Sequence, residues 1–123
     1  MLPVAILRSD NPTDLTHASG IALLDTGATS SAIGPQIIEK MQLRPYSKRP
    51  VVVATEQRLV DYYFFRVGLF TDDTAAAIPY VFAETSGFGM QASDSFDIIL
   101  GMDVLSQCDF TMDRDGKWKL TFG

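Results

Sequence analysis

Ile21-Ala22-Leu23-Leu24-Asp25-Thr26-Gly27-Ala28 is an apolar run that delivers a carboxylate to its end and then turns. The unbroken apolar residues before Asp25 read as a buried strand, and the Thr-Gly step bends the backbone sharply away. Asp25 thus stands at the mouth of a buried sheet, where an acidic side chain is costly unless it has a use. The chain holds a single Asp-Thr-Gly triplet. A carboxylate that must share its work with a second one has no partner within this chain, which implies a second copy of it.

The triplet alone is weak evidence, since it should arise by chance in roughly one chain of this length in fifty to a hundred. Its context carries more. Phe96-Asp97-Ile98-Ile99-Leu100-Gly101-Met102-Asp103-Val104-Leu105 is an apolar strand running into Gly and then an amphipathic stretch. The succession of strand, Asp-Thr-Gly-Ala, long β region, then Ile-Leu-Gly followed by Asp-Val-Leu resembles the retropepsin-like aspartic proteases. These are the retroviral-type enzymes and their cellular and bacterial relatives, and the resemblance runs nearly end to end in order and spacing. It implies a mostly-β acid-protease barrel with one or two short helices, one domain over residues 1–123, and a homodimer.

Composition fits this and excludes other classes. Apolar residues make up 46% and charged residues 20% of the chain, as in ordinary soluble domains. A formal charge of -5 argues against nucleic acid or an anionic membrane as partner. Arg44, Lys48 and Arg49 form a small basic cluster that reads as a solvated loop. The single cysteine, Cys108, excludes an intrachain disulfide and a cysteine-based metal site, and its apolar context reads as a buried structural thiol. His17, the only histidine, lies in a polar stretch with no nucleophile motif elsewhere, which leaves no basis for a Ser-His or Cys-His enzyme. No cofactor or metal is implied. The start lacks the pattern of a signal peptide and no run reaches transmembrane length, so the expectation is a cytoplasmic protein.

Along the chain, Leu2 to Leu7 reads as a first strand and residues 9–14 as a turn cluster. Gly20 to Leu24 is the strand that delivers Asp25, and Ser31-Ala32-Ile33 a short strand after it. Pro35 to Met41 reads as a short helix, with Pro35 in its first turn and Ile37, Ile38 and Met41 at helical spacing. Val51 to Thr55 and Arg58 to Phe70 read as strands joined by the polar step Glu56-Gln57. Apolar residues fall on both faces of the second, so it is buried twice or passes from a core into an interface. Residues 71–77 read as loop, Ile78 to Ala83 as strand, and the Gly-, Ser- and Asp-rich stretch through Ser95 as loop. Asp97 to Leu100 is strand and Met102 to Gln107 a short helix. Asp109 to Phe122 closes as a hairpin turning at Asp115-Gly116. Short strands with two brief helices make a closed or folded-over barrel.

The chemistry implied by the resemblance is peptide hydrolysis by paired carboxylates. One ionised group draws a proton from water while a protonated one polarises the carbonyl, and two carboxyls about 3 Å apart share a proton because both cannot ionise cheaply. With one Asp25 per chain, the pair is Asp25 and its symmetry mate. Gly27 offers an N–H unhindered by a side chain. Thr26 resembles the family threonine whose hydroxyl reaches across the dimer. Ala28 stands where pepsin-like enzymes carry a hydroxyl, and without that donor activity is expected in a weakly acidic range, above that of pepsin. Ile99-Leu100-Gly101 resembles the strand that crosses behind the active-site loop, with Gly101 permitting close approach and Ile99 facing substrate.

Departures from the retroviral pattern place the chain with cellular and bacterial relatives. Retroviral enzymes carry an acidic residue just after Asp-Thr-Gly-Ala and an Arg after the Ile-Gly step; here Thr29 and Met102 stand there, so both halves of that ion pair are gone together. The flap, the hairpin that closes over substrate, falls on Val51 to Tyr63 with a tip near Thr55, Glu56 and Gln57, and this tip has no glycine. The alternative lid is the stretch 85–95. Apolar walls from Ile33, Val53 and Ile99 favour large apolar side chains at the scissile bond of an extended peptide or protein substrate. The expected function is an aspartic endopeptidase. The alternative is a catalytically silent dimer serving as a peptide-binding or assembly module, and a plain β-barrel with a chance triplet predicts a monomer. Residues 117–122 are candidates for dimer contact, although Trp118, Leu120 and Phe122 fit core packing equally.

Overall fold

Strand β1 (Leu2–Leu7) pairs antiparallel with β2 (His17–Leu24), Val4 opposite Gly20 and Leu7 opposite His17. Along β2, Ala18, Gly20 and Ala22 are buried while His17, Ser19 and Ile21 are exposed, the alternation of a strand with one face on a core. The strand begins at His17 and not at Gly20, so the histidine expected in a loop lies on an exposed strand face, its ring edge-on to Phe70 at 6.1 Å. The computed structural model describes residues 2–11, 13–53, 55–70 and 79–122, and of these all side chains but those of residues 51–53 and 118. The loop expected over 71–77 falls outside them.

Parallel to β2 runs β8 (Ile98–Leu100), with Leu24 beside Leu100. On its other edge β8 pairs antiparallel with β3 (Ala32–Ile33), which in turn lies parallel to β7 (Thr85–Gly89). The last member is β5 (Glu56–Leu69), antiparallel to β7 through residues 62–65 and to β1 through residues 66–69. The order β1-β2-β8-β3-β7-β5 and back to β1 closes a ring. Closure is uneven, because β3 supplies two residues and β5 fourteen. Attached to β5 outside the ring are β4 (Ser47–Val53) and β6 (Tyr80–Val81).

The run expected as one long loop before Ser95 therefore contains β7. Its composition misleads: Thr-Ser-Gly-Phe-Gly has little to bury, and both its neighbours hold it by backbone pairing. Gly87 fits there because a Cβ would lie 2.5 Å from the Ser31 carbonyl oxygen, closer than any side chain permits.

The long strand β5 is exposed at its start and enclosed on both faces from Phe65 to Leu69. Phe65, Val67 and Leu69 join Val4, Ile6, Ile33, Ile37, Ile98, Leu100 and Val104 in a single core, each fully buried side chain contributing about 1.5–3 kcal/mol. Arg66 is also buried at 7% exposure. Its Nε donates to the Arg8 carbonyl at 2.7 Å, and its Nη2 to those of Asn11 at 3.0 Å and Asp14 at 2.8 Å, pinning the β1–β2 loop.

Helix α1 (Pro35–Lys40) turns Ile37 into the core, with Met41 buried just beyond its end. It ends where Gln42 takes φ 51°, a left-handed conformation that stops helices. Helix α2 (Met102–Leu105) buries Val104 and Leu105. The expected C-terminal hairpin is present as β9 (Asp109–Met112) and β10 (Trp118–Thr121), which among the described residues pair only with each other. Asp113 Oδ1 organises its turn by accepting the N–H groups of Asp115 at 3.0 Å and Lys117 at 2.9 Å. Cys108 is half-buried, and burial first and Asp109 second push its thiol above the usual range. Among the described residues no helix is long and apolar enough to cross a membrane.

Candidate active site

The loop after β2 continues the sheet for one residue before leaving it. The Asp25 N–H donates to the Leu100 carbonyl at 3.0 Å, extending the parallel β2–β8 ladder. The Ala28 N–H then donates to the Asp25 carbonyl at 3.2 Å, closing a turn over Asp25-Thr26-Gly27-Ala28. Within that turn the Gly27 N–H donates to Asp25 Oδ1 at 2.9 Å. Asp25 and Ala28 are half-buried, while Thr26 and Gly27 face solvent. The carboxylate is thus fixed by its own loop and still open on one side.

Behind the loop, Gly101 lets two backbone segments touch. A Cβ there would lie 2.7 Å from the Ser30 carbonyl carbon and oxygen and 2.8 Å from the Ala28 oxygen. The next residue ties the same segments, its N–H donating to the Ala28 carbonyl at 2.8 Å.

A polar cluster around the buried Ser31, which sequence reasoning missed, underlies this contact. Ser31, with no exposed surface, donates its hydroxyl to Asp103 Oδ1 at 2.7 Å and its N–H to Asp103 Oδ2 at 3.0 Å. The Ser31 Oγ also accepts the Gly101 N–H at 3.2 Å. Asp103 Oδ2 accepts the Thr85 hydroxyl at 2.8 Å, and Oδ1 the Val104 N–H at 2.9 Å. The signal available in sequence was an Asp in the first turn of an otherwise apolar helix. Its partners lie 72 and 18 residues away, beyond any local pattern.

The residues expected at the site fall into two groups and one exception. Asp25, Gly27, Ala28 and Gly101 form one cluster with Thr26 at its exposed tip, and Ile99 flanks it, half-buried between Leu23 and Ala32. Thr55, Glu56 and Gln57 belong to the β4–β5 hairpin. Glu56 and Gln57 are not its tip but the first pairs of β5, opposite Val53 and Val52, and Thr55 is the described turn residue before them. Ala54 and the Val53 side chain lie outside the described residues. Glu56 is exposed and meets Arg58 at 3.2 Å. Ile33 is the exception: it has no exposed surface and belongs to the core, so it cannot form a wall of the cleft as expected. Strand β7 gives a similar correction for the alternative lid, since Thr85 to Gly89 is held inside the sheet between β3 and β5. Among the described residues no group of three or more His, Cys, Asp or Glu is placed to hold a metal ion.

A family model described as aspartyl protease matches residues 18–104. Among solved structures, the chain is similar to a retropepsin-like aspartic protease from Rickettsia conorii at 15% identity and a TM-score of 0.56, over 98% of this chain and 81% of that one. It is also similar to the retroviral protease-like domain of Ddi1 from Leishmania major at 16% identity and a TM-score of 0.49, over 98% and 87% respectively. No curated protein matches. The Rickettsia likeness supports the retropepsin-like fold, which the ring of strands and the loop after β2 display in detail.

Proposed function

The chain belongs to the aspartyl protease family, and from that premise we propose that it is an aspartic endopeptidase, active as a homodimer in which each subunit contributes Asp25. The observation that carries this reading is the Asp25 loop. A carboxylate at a strand end, with one oxygen held by the Gly27 N–H at 2.9 Å and one side open, is suited to meet a second carboxylate. Only one Asp-Thr-Gly occurs in the chain, and Asp103 has both oxygens engaged by donors. In this reading the second carboxylate of the pair is the Asp25 of another copy.

In this mechanism the two Asp25 side chains share one proton. The ionised one takes a proton from a water as it attacks the peptide carbonyl, and the protonated one donates to the carbonyl oxygen. Thr26, exposed at the tip of the loop, reaches the facing loop and holds the two together. An extended peptide lies beneath the β4–β5 hairpin, bonded along its backbone as an added strand, with Ile99 contributing to an apolar wall. Cleavage between large apolar residues follows, in a weakly acidic range.

The test is digestion of an unfolded protein mixture from weakly acidic to neutral pH, wild type beside Asp25→Asn, with cut sites read by mass spectrometry. Cutting that disappears in Asp25→Asn is the expected result; cutting that survives sinks the reading. One observation favours a second reading, a dimer that binds peptide without cleaving it. The β4–β5 hairpin is paired up to Val53 and Glu56 and contains no glycine through its turn, so it is stiff for a flap that must open and reclose. A dimer by sedimentation that cleaves nothing yet binds extended peptides selects that reading.

A further inference from the structure

We propose that Asp103 is a positioning residue for Asp25, acting through Ser31, and that its negative charge is required for the task. The kinetic part of this rests on the protease reading above. Three links from backbone N–H groups join the segment around Asp25 to residues 100–102: the Asp25 N–H on Leu100, the Met102 N–H on Ala28, and the Gly101 N–H on Ser31 Oγ. The third depends on a side chain, and that side chain is held by Asp103. Ser31 has one hydroxyl proton, and giving it to Asp103 at 2.7 Å leaves a lone pair for Gly101. Asp103 thus sets the direction of the bond that joins β8 to the segment following the Asp25 turn.

The donor set explains why a carboxylate is needed. Oδ1 faces the Ser31 hydroxyl and the Val104 N–H; Oδ2 faces the Ser31 N–H and the Thr85 hydroxyl. Each oxygen meets one backbone N–H, which cannot turn around. An asparagine of the same shape must point its NH2 at one of those N–H groups, whichever way it is flipped. Ser31 and Asp103 thus tie the segment after the Asp25 turn to the start of helix α2.

The experiment compares wild type, Asp103→Asn, Ser31→Ala and the double variant, with dimer mass and thermal unfolding recorded for each. Expected are folded dimers whose kcat falls about tenfold to a hundredfold, the scale for misplacing a reacting group by about 1 Å. KM should stay within about twofold, and the double variant should be no worse than the poorer single one. Activity lost only in proportion to unfolded protein, or a rise in KM alone, overturns the proposal. Should both substitutions prevent folding, Thr85→Val removes one donor to Oδ2 and is read in the same way. If wild type cleaves nothing, the protease reading has failed separately, and amide hydrogen exchange decides. Exchange at least about tenfold faster at Asp25, Gly101 and Met102, with Ile6 unchanged, supports positioning; unchanged exchange at those amides overturns it.

Discussion

A methyl group added at Gly101 would press against the backbone of Ser30 and Ala28, and backbone cannot rotate out of the way as a side chain can. Gly101→Ala must therefore part β8 from the Asp25 loop. We expect a loss of about 1–3 kcal/mol in stability, the scale of overpacking, together with activity reduced more than stability alone explains. Equilibrium urea unfolding and initial-rate assays on the same preparation check both; a fully active Gly101→Ala would show that the contact is incidental. Cys108 behaves oppositely, as a residue with little chemistry. Burial raises its thiol above the usual range, and Asp109 adds to this, so the nucleophilic thiolate is scarce at neutral pH. Iodoacetamide should label the native protein at least about tenfold more slowly than the urea-unfolded chain. Equal rates would place the thiol in open solvent.

At the scale of elements, the β4–β5 hairpin is where sequence and architecture diverge most usefully. Glu56 is paired with Val53 at the first step of β5, so Glu56→Gly should loosen the hairpin without touching the core. The cost is about 0.5–1 kcal/mol for glycine in a strand, and the exposed Glu56–Arg58 ion pair adds little. Faster amide exchange over residues 55–60, with the core amides unchanged, is the expected outcome; no change would mean that the hairpin's stiffness comes from β4 pairing alone. Strands that alternate, such as β2, were legible because one residue in two meets the core. Helix α1 was legible because Pro35 and the Ile37, Ile38, Met41 spacing are local. Strand β7 was not, since Thr-Ser-Gly-Phe-Gly becomes a strand only when β3 and β5 flank it. The site divides in the same way. Asp25, Gly27 and Gly101 stand in short motifs whose meaning is local. Asp103, Ser31 and Thr85 come from three separate stretches, and Ile33 gave no sign that it faces the core and not the cleft.

For the whole molecule, the proposed homodimer makes a prediction about how activity depends on two copies. If each functional site contains two Asp25 side chains, a mixed dimer of wild type with Asp25→Asn has one carboxylate and is inert. Random exchange of subunits at equal amounts leaves about a quarter of dimers wholly wild type. Activity per total chain should then fall to about a quarter of the wild-type value. Were one Asp25 sufficient, every wild-type chain would keep working in any partner, and half the activity would remain. In the proposed dimer, the β9–β10 ribbon is a candidate for the contact between copies. Among the described residues its two strands pair only with each other, Leu120 holds it against the core, and Met112 stands exposed upon it at 64%. A charge placed at Met112, as in Met112→Glu, should leave the barrel folded but weaken the dimer, lowering specific activity more steeply on dilution than in wild type. The two titrations separate cleanly, because Asp25→Asn acts at fixed dimer content and Met112→Glu acts through it. A quarter-activity mixture with unchanged sedimentation, beside a dilution-sensitive Met112→Glu, assigns the chemistry to a shared pair and the assembly to the ribbon. Half activity in the mixture would return the chemistry to a single carboxylate, whatever the ribbon does.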